Sequence, residues 1–303
     1  MLLPLILIAG LLAAPGPRYR EYVALGDSWS ADVTLTNVST EHAPSGCLQA
    51  SYNYPKQVAR ALGATTFRDA TCSGATTEEM TRPQPVRLVP RLYDGVNAAQ
   101  FDRLTPRTDL VTLGIGGNDA KLAAAALSCI NILPTLTLLP GVVLPAPLGA
   151  PCKAKWVTAE GDAMSRNIRR TGPKVAATVR AIRARAPHAR ILLVDYLAGL
   201  PATGGCYPYV QMTDQDADWL GDKLDELNRM LRRVAKAEKV TLVDTYSGSV
   251  GHDACQRPGV KWVEGVLPVT TDPLGPAVPL HPNRLGADHQ ARSVLATLVN
   301  SDL

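Results

Sequence analysis

Two rhythms of apolar residues alternate along this chain. Short runs rich in Val, Leu and Ile occur at Tyr22 to Leu25, Asp109 to Ile115, Arg190 to Tyr196 and Val240 to Tyr246, with a weaker one at Thr65 to Ala70. Each is short enough to be a buried strand. Between them, Ser51 to Leu62, Thr158 to Arg185, Asp214 to Glu238 and Arg284 to Val299 repeat apolar positions at helical spacing. Buried strands separated by helices predict a mostly parallel sheet covered on both faces, a three-layer α/β/α sandwich. No internal repeat or low-complexity linker divides the chain, so residues 18–303 are expected to form a single domain.

The first residues break this rhythm. Leu2 to Ala14 is apolar apart from Pro4 and leads into Ala13-Ala14-Pro15-Gly16-Pro17. It is too short to span a bilayer and resembles the apolar centre of a secretory signal peptide, although the usual basic start is missing. Residues 1–17 are therefore expected to be a signal peptide and the protein to be secreted; a membrane anchor or a buried first strand are the alternatives. The net charge is only +4, and no Lys/Arg run is interleaved with aromatics, so no nucleic-acid partner is implied. The arginines at 166–170 and 180–190 fall on helical pattern and read as a solvated face.

Six cysteines lie downstream of the apolar start, none in Cys-x-x-Cys spacing, so a zinc site is not expected. In an exported chain three disulfides are the economical reading. Sequential pairing gives Cys47–Cys72, Cys129–Cys152 and Cys206–Cys255, with other pairings open on sequence alone.

Candidate chemistry sits where the strands end. Gly26-Asp27-Ser28 follows the first strand and puts a hydroxyl at the C-terminal edge of the sheet, where parallel α/β sheets bind their ligands. Gly114-Ile115-Gly116-Gly117-Asn118-Asp119 closes the third strand with an amide donor among glycines. Cys72-Ser73-Gly74-Ala75 follows the second strand, where Gly74 can aim a backbone N–H into the same crevice. His281-Pro282-Asn283 opens the last helix, and Pro282 suits a first helical turn. Each segment alone is an ordinary turn.

Together, in this order, the four segments resemble the conserved blocks of the SGNH (GDSL-type) hydrolase superfamily over nearly the whole chain. The likeness is greatest to secreted, disulfide-bearing actinobacterial esterases, lipases and phospholipases. It implies a flavodoxin-like central sheet, Ser28 as nucleophile and His281 as its base. It also implies an oxyanion hole made by the Ser28 and Gly74 backbone N–H groups and the Asn118 side chain. Most of the superfamily carries an acid three residues before the histidine, where this chain has Val278. Some members of the resembling branch orient the imidazole with a backbone carbonyl, so the Val278 carbonyl is expected to hold Nδ1 of His281. Asp272 and Asp288 are the alternative acids, and Trp29 is placed to wall the substrate site.

The implied reaction is acyl transfer to water through an ester on Ser28, with no metal or organic cofactor. His42, His188, His252 and His289 read as surface or structural. Asp27 and Asp119 are expected to fix the loops that carry Ser28 and Asn118. Ile130 to Leu148 is proline-rich, apolar and uncharged, which marks an apolar flap around 120–156 over an acyl chain or against a lipid surface. The substrate is thus expected to be a lipid-type ester, and the protein a monomer. A polysaccharide O-acetyl esterase and a non-catalytic secreted protein of the same fold are the alternatives.

Overall fold

Five strands make the central sheet: β1 (Glu21–Gly26), β2 (Thr66–Asp69), β3 (Leu110–Gly114), β4 (Arg190–Val194) and β5 (Thr241–Val243). A computed structural model describes residues 18–89, 91–131, 137–139, 142–143, 151–265, 269–271 and 274–300. The strands lie in the order β5-β4-β3-β1-β2, all parallel, with Tyr22 beside Leu110 and Gly26 beside Gly114. This is the doubly wound, flavodoxin-like order, and β1 and β3 meet where the winding reverses.

The side-chain period of two sends neighbouring residues to opposite layers. Tyr22, Ala24, Leu110, Leu192 and Val194 pack with Tyr54, Val58, Ala291, Val294 and Leu298. These last five come from α2 (Tyr54–Leu62) and α6 (Arg284–Asn300). Val23, Leu25, Val111, Leu113, Ile191 and Leu193 face the other way. They pack on Ile168, Val175, Val179 and Ile182 of α4 (Ala163–Arg185) and on Leu220, Leu224, Leu227 and Leu231 of α5 (Asp214–Glu238).

Capping decides where the helices start. The Asn53 side chain accepts from the Lys56 N–H, with Pro55 in the first turn, so α2 begins at Tyr54 and not at Ser51. Asp162 accepts from the Met164 and Ser165 N–H groups, and a small ladder of Val157–Thr158 with Gly161–Asp162 occupies the residues expected to be helical before it. α5 spans the residues the periodicity predicts, behind Thr213 as N-cap.

Among the additional elements, two bear on the site. One is the short helix α3 (Leu122–Ser128); the other is an antiparallel hairpin of Gln84–Val89 with Tyr93–Asn97. The cysteines pair sequentially, Cys47–Cys72, Cys129–Cys152 and Cys206–Cys255. Of the apolar stretch from Ile130 to Leu148, residues 132–136, 140–141 and 144–148 lie outside the described residues, so the flap expectation does too. Residues 1–17 are likewise outside. Among the described residues no helix is long and apolar enough to cross a membrane.

Candidate active site

Ser28 is set by a turn that tolerates only glycine before it. Gly26 has φ of 155°, and a Cβ there would come within 2.4 Å of Ser30 Oγ and 2.5 Å of the Gly114 carbonyl oxygen. The Gln100 side-chain amide clamps the same residue from both sides, accepting from its N–H at 2.8 Å and donating to its C=O at 2.9 Å. Asp27 then caps the one-turn helix α1 (Ser28–Ala31), its Oδ1 accepting from the Trp29 N–H at 3.0 Å. Ser28 therefore leaves the strand at the start of a helix, with its own N–H spent on no turn, loop or cap bond among the described residues.

His281 reaches the same point from the opposite end of the chain. Its Nε2 lies 2.8 Å from Ser28 Oγ. Its Nδ1 lies 2.8 Å from a backbone carbonyl, and that carbonyl is Pro279, not Val278. Leu280 adopts the left-handed conformation (φ 57°) and folds the chain back on itself, so the carbonyl two residues before the ring meets it. The Val278 side chain instead lines the cavity in front of Ser28 and touches the small cluster of Ala31, Val33 and Leu48. A carbonyl can only accept, so Nδ1 carries the proton and Nε2 presents its lone pair to the serine hydroxyl. Asp272 lies outside the described residues, and no described hydrogen bond joins Asp288 to His281. With burial opposing its charge and only the Pro279 carbonyl favouring it, the imidazole is pushed down to about 4.

The expected oxyanion donors divide in two. Asn118 lines the cavity with Ser28 and His281, and its Nδ2 donates to the Ala75 carbonyl at 2.9 Å, leaving its second N–H free to turn inward. Gly74 does not line the cavity. It sits one residue before Ala75 with φ of 76°, its N–H likewise spent on no turn, loop or cap bond. Asp119 fixes this neighbourhood as anticipated, accepting from the Thr77 N–H at 2.9 Å and the Thr77 hydroxyl at 2.6 Å. The Gly74 loop and the Asn118 loop are thereby tied together.

Tyr196 is the site residue that sequence reasoning passed over. Its hydroxyl donates to Asp27 Oδ2 at 2.5 Å and accepts from the Gly117 N–H at 2.8 Å, joining the Ser28 turn to the Asn118 loop. The only signal in the sequence is its place at the end of an apolar strand run. Burial raises the Asp27 carboxyl to about 7, against the lowering effect of the Tyr196 hydroxyl and the Trp29 N–H. The indole of Trp29 packs edge-on against Tyr196 and lines the cavity as expected.

The cavity itself holds about 220 Å³. Beyond Asp27, Ser28, Asn118, Tyr196 and His281 its walls are largely apolar: Leu122, Ala126 and Leu127 from α3, Leu220 and Leu224 from α5, and Leu200, Val278 and Leu280 from loops. The other histidines lie elsewhere. His252 and His289 sandwich Trp262 at ring distances of 3.8 and 4.4 Å, His42 sits edge-on to Phe67, and His188 is exposed. Cys129, Cys152 and Asp216 come close enough to suggest a metal, but the two sulfurs are bonded to each other and offer no thiolate.

The profile of the GDSL-like Lipase/Acylhydrolase family matches residues 24–289. This chain belongs to that family. Lipase 2 of Streptomyces coelicolor is 36% identical over 281 residues, covering 92% of this chain and 85% of that one. Phospholipase A1 from Streptomyces albidoflavus NA297 shares the fold, with a TM-score of 0.67 at 22% identity, covering 92% and 99% of the two chains. The extracellular lipase of Streptomyces rimosus superimposes with a TM-score of 0.66 at 23% identity, over 93% and 99%. As a GDSL-like acylhydrolase, the protein is a carboxylic ester hydrolase. The Ser28–His281 contact lies inside the matched segment.

Proposed function

We propose that this enzyme hydrolyses lipid-type carboxylic esters through an acyl-enzyme on Ser28. The observation that carries the reading is the 2.8 Å contact between Ser28 Oγ and a neutral His281 Nε2, opening onto a cavity walled by leucines. His281 takes the hydroxyl proton as Oγ attacks the ester carbonyl. The Ser28 and Gly74 N–H groups and the Asn118 amide receive the oxyanion, and His281 returns the proton to the leaving alcohol. Water, activated by the same imidazole, then attacks the acyl-enzyme and releases the acid. The Pro279 carbonyl orients the ring throughout, and no step needs a metal or organic cofactor.

Apolar walls favour a fatty-acyl chain over a lone acetyl group, because only the longer chain removes those leucine surfaces from water. Three disulfides fit an oxidising compartment, and the apolar start of the chain fits an export signal; both support secretion, with the protein acting as a monomer. Hydrolysis of p-nitrophenyl esters from acetyl to palmitoyl, with Ser28→Ala as control, tests the reading. The expected result is a rate that peaks beyond acetyl and is lost in the variant. A sharp acetyl optimum would move the assignment to acetylated carbohydrate, and activity indifferent to Ser28 would remove the mechanism.

A further inference from the structure

The hairpin of Gln84–Val89 with Tyr93–Asn97 takes no part in the chemistry above, yet its surface is unusual. Nine large apolar side chains are exposed among the described residues, and four of them are here: Leu88 (58% exposed), Val89 (44%), Leu92 (59%) and Val96 (61%). The inner face is used by the fold, with Val86 packed over Gly46 and Gln84 buried. The outer face and the turn carry the exposed four: Leu88 and Val89 lie between Arg87 and Arg91, Leu92 and Val96 follow Arg91, and neither guanidinium forms an ion pair with a described residue. Arg87 stands opposite Asp94 in the ladder, but that carboxylate accepts from the Arg91 backbone N–H.

The root of the hairpin is anchored beside the active site. Gln84 Nε2 donates to the Ser73 carbonyl at 2.8 Å, next to Gly74, and Asn97 Nδ2 donates to the Ala70 carbonyl at the end of β2. The Tyr93 hydroxyl donates to the Leu35 carbonyl, and its ring shares a cluster with Val278, a wall of the cavity. Leu127, another cavity wall, is itself 63% exposed.

We propose that this hairpin docks the enzyme on the surface of an anionic lipid aggregate, Leu88, Val89 and Leu92 entering the interface while Arg87 and Arg91 meet headgroup phosphates. Hydrocarbon below and phosphate above is the pairing that apolar side chains flanked by arginines complement. The inference rests on the reading that the substrate is a lipid ester, since docking would then bring the cavity to where that ester lies.

Sedimentation with large unilamellar vesicles tests it, using the full chain carrying Ser28→Ala so that no lipid is consumed. The Ser28→Ala protein is expected to pellet with phosphatidylglycerol vesicles, and Leu88→Ser/Leu92→Ser to weaken that binding at least about tenfold. Arg87→Glu/Arg91→Glu, confined to exposed positions that cannot unfold the chain, is expected to weaken binding to phosphatidylglycerol vesicles in a salt-sensitive way and to leave phosphatidylcholine binding unchanged. With Ser28 restored, both double variants should keep the wild-type rate on a monomeric short-chain p-nitrophenyl ester and lose at least about fivefold on vesicle-borne ester. Vesicle binding unchanged in both variants, or absent in the parent, overturns the proposal. So does a concentration-dependent dimer abolished by Leu88→Ser/Leu92→Ser, which would make a second copy the occupant. A wild-type enzyme with no esterase activity would instead sink the hydrolytic reading, because the vesicle measurement needs no turnover.

Discussion

The two halves of the proposed catalytic pair are braced in opposite ways. Behind Ser28 stands a buried carboxylate, Asp27, held by the Tyr196 hydroxyl and the Trp29 N–H and linked through Tyr196 to the Gly117 amide. Behind His281 stands one neutral carbonyl, that of Pro279, delivered by a backbone turn. No described carboxylate bonds the imidazole, and the buried Asp27 serves the Ser28 turn instead. Under the proposed mechanism orientation and charge stabilisation are thus separate duties: a carbonyl suffices to select the tautomer, whereas the imidazolium formed during attack relies on the oxyanion facing it.

Removing the base tests this division most severely. His281→Ala should lower kcat by about 10⁴-fold or more, as for other serine hydrolase bases; a much smaller loss in single-turnover acylation would mean that another group takes the serine proton. Asn118→Ala should cost on the order of 10²–10³ in kcat with little change in KM. Because the imidazolium has no carboxylate, the oxyanion donors carry more of the charge stabilisation, and a loss under tenfold would undo the comparison. Tyr196→Phe probes the nucleophile side. It strands the Gly117 N–H and one oxygen of Asp27, so denaturant unfolding should show a loss of about 1–3 kcal/mol, and kcat should fall about tenfold as the two loops drift apart. Unchanged stability would show that the bridge joins nothing.

The smallest effect concerns pH. A base lowered to about 4 remains neutral as pH falls from 7 to 5, so kcat/KM should hold over that range and decline only as pH approaches 4. The Asp27 carboxyl, pushed up to about 7, takes its proton within that range, so a limb that Asp27→Asn abolishes belongs to the Ser28 turn, and one near 6.5 that survives it would indicate an undetected negative charge beside the ring. The His281 contribution to stability does change in the same window, opposed by that of Asp27, whose carboxyl is pushed up to about 7. The unfolded chain binds a proton at its histidine near 6.5 that the folded site refuses until about 4, so the His281 contribution to stability falls as pH drops between those values.

Strand and helix rhythm made the sandwich legible because each central strand is buried on both faces and each helix on one. The four chemical segments were legible because a parallel sheet gathers its strand ends on one edge. What escaped depends on partners far apart in the chain or on local backbone turns. Tyr196 acts on Asp27, 169 residues earlier, and nothing in its own surroundings announces this. Pro279 replaces Val278 as acceptor because of the left-handed Leu280, which a β-branch-free residue next to a proline does not advertise. The hairpin was hidden because its strands lack clean alternation: Leu88, Val89, Leu92 and Val96 are apolar without facing a core.

The cross-links lend the molecule another property. Each of the three disulfides ties down a segment that reaches the site: Cys72 lies two residues before Gly74, Cys129 directly follows the helix that walls the cavity, and Cys255 belongs to the loop of Trp262, whose N–H donates to His252 and whose carbonyl accepts from Asn283 beside His281. A protease that cuts between Cys129 and Cys152, or between Cys206 and Cys255, leaves the two pieces covalently joined through that disulfide. The enzyme is thereby built to be nicked without being dismantled, and a two-chain form recovered from a protease-rich medium should still carry its cavity walls.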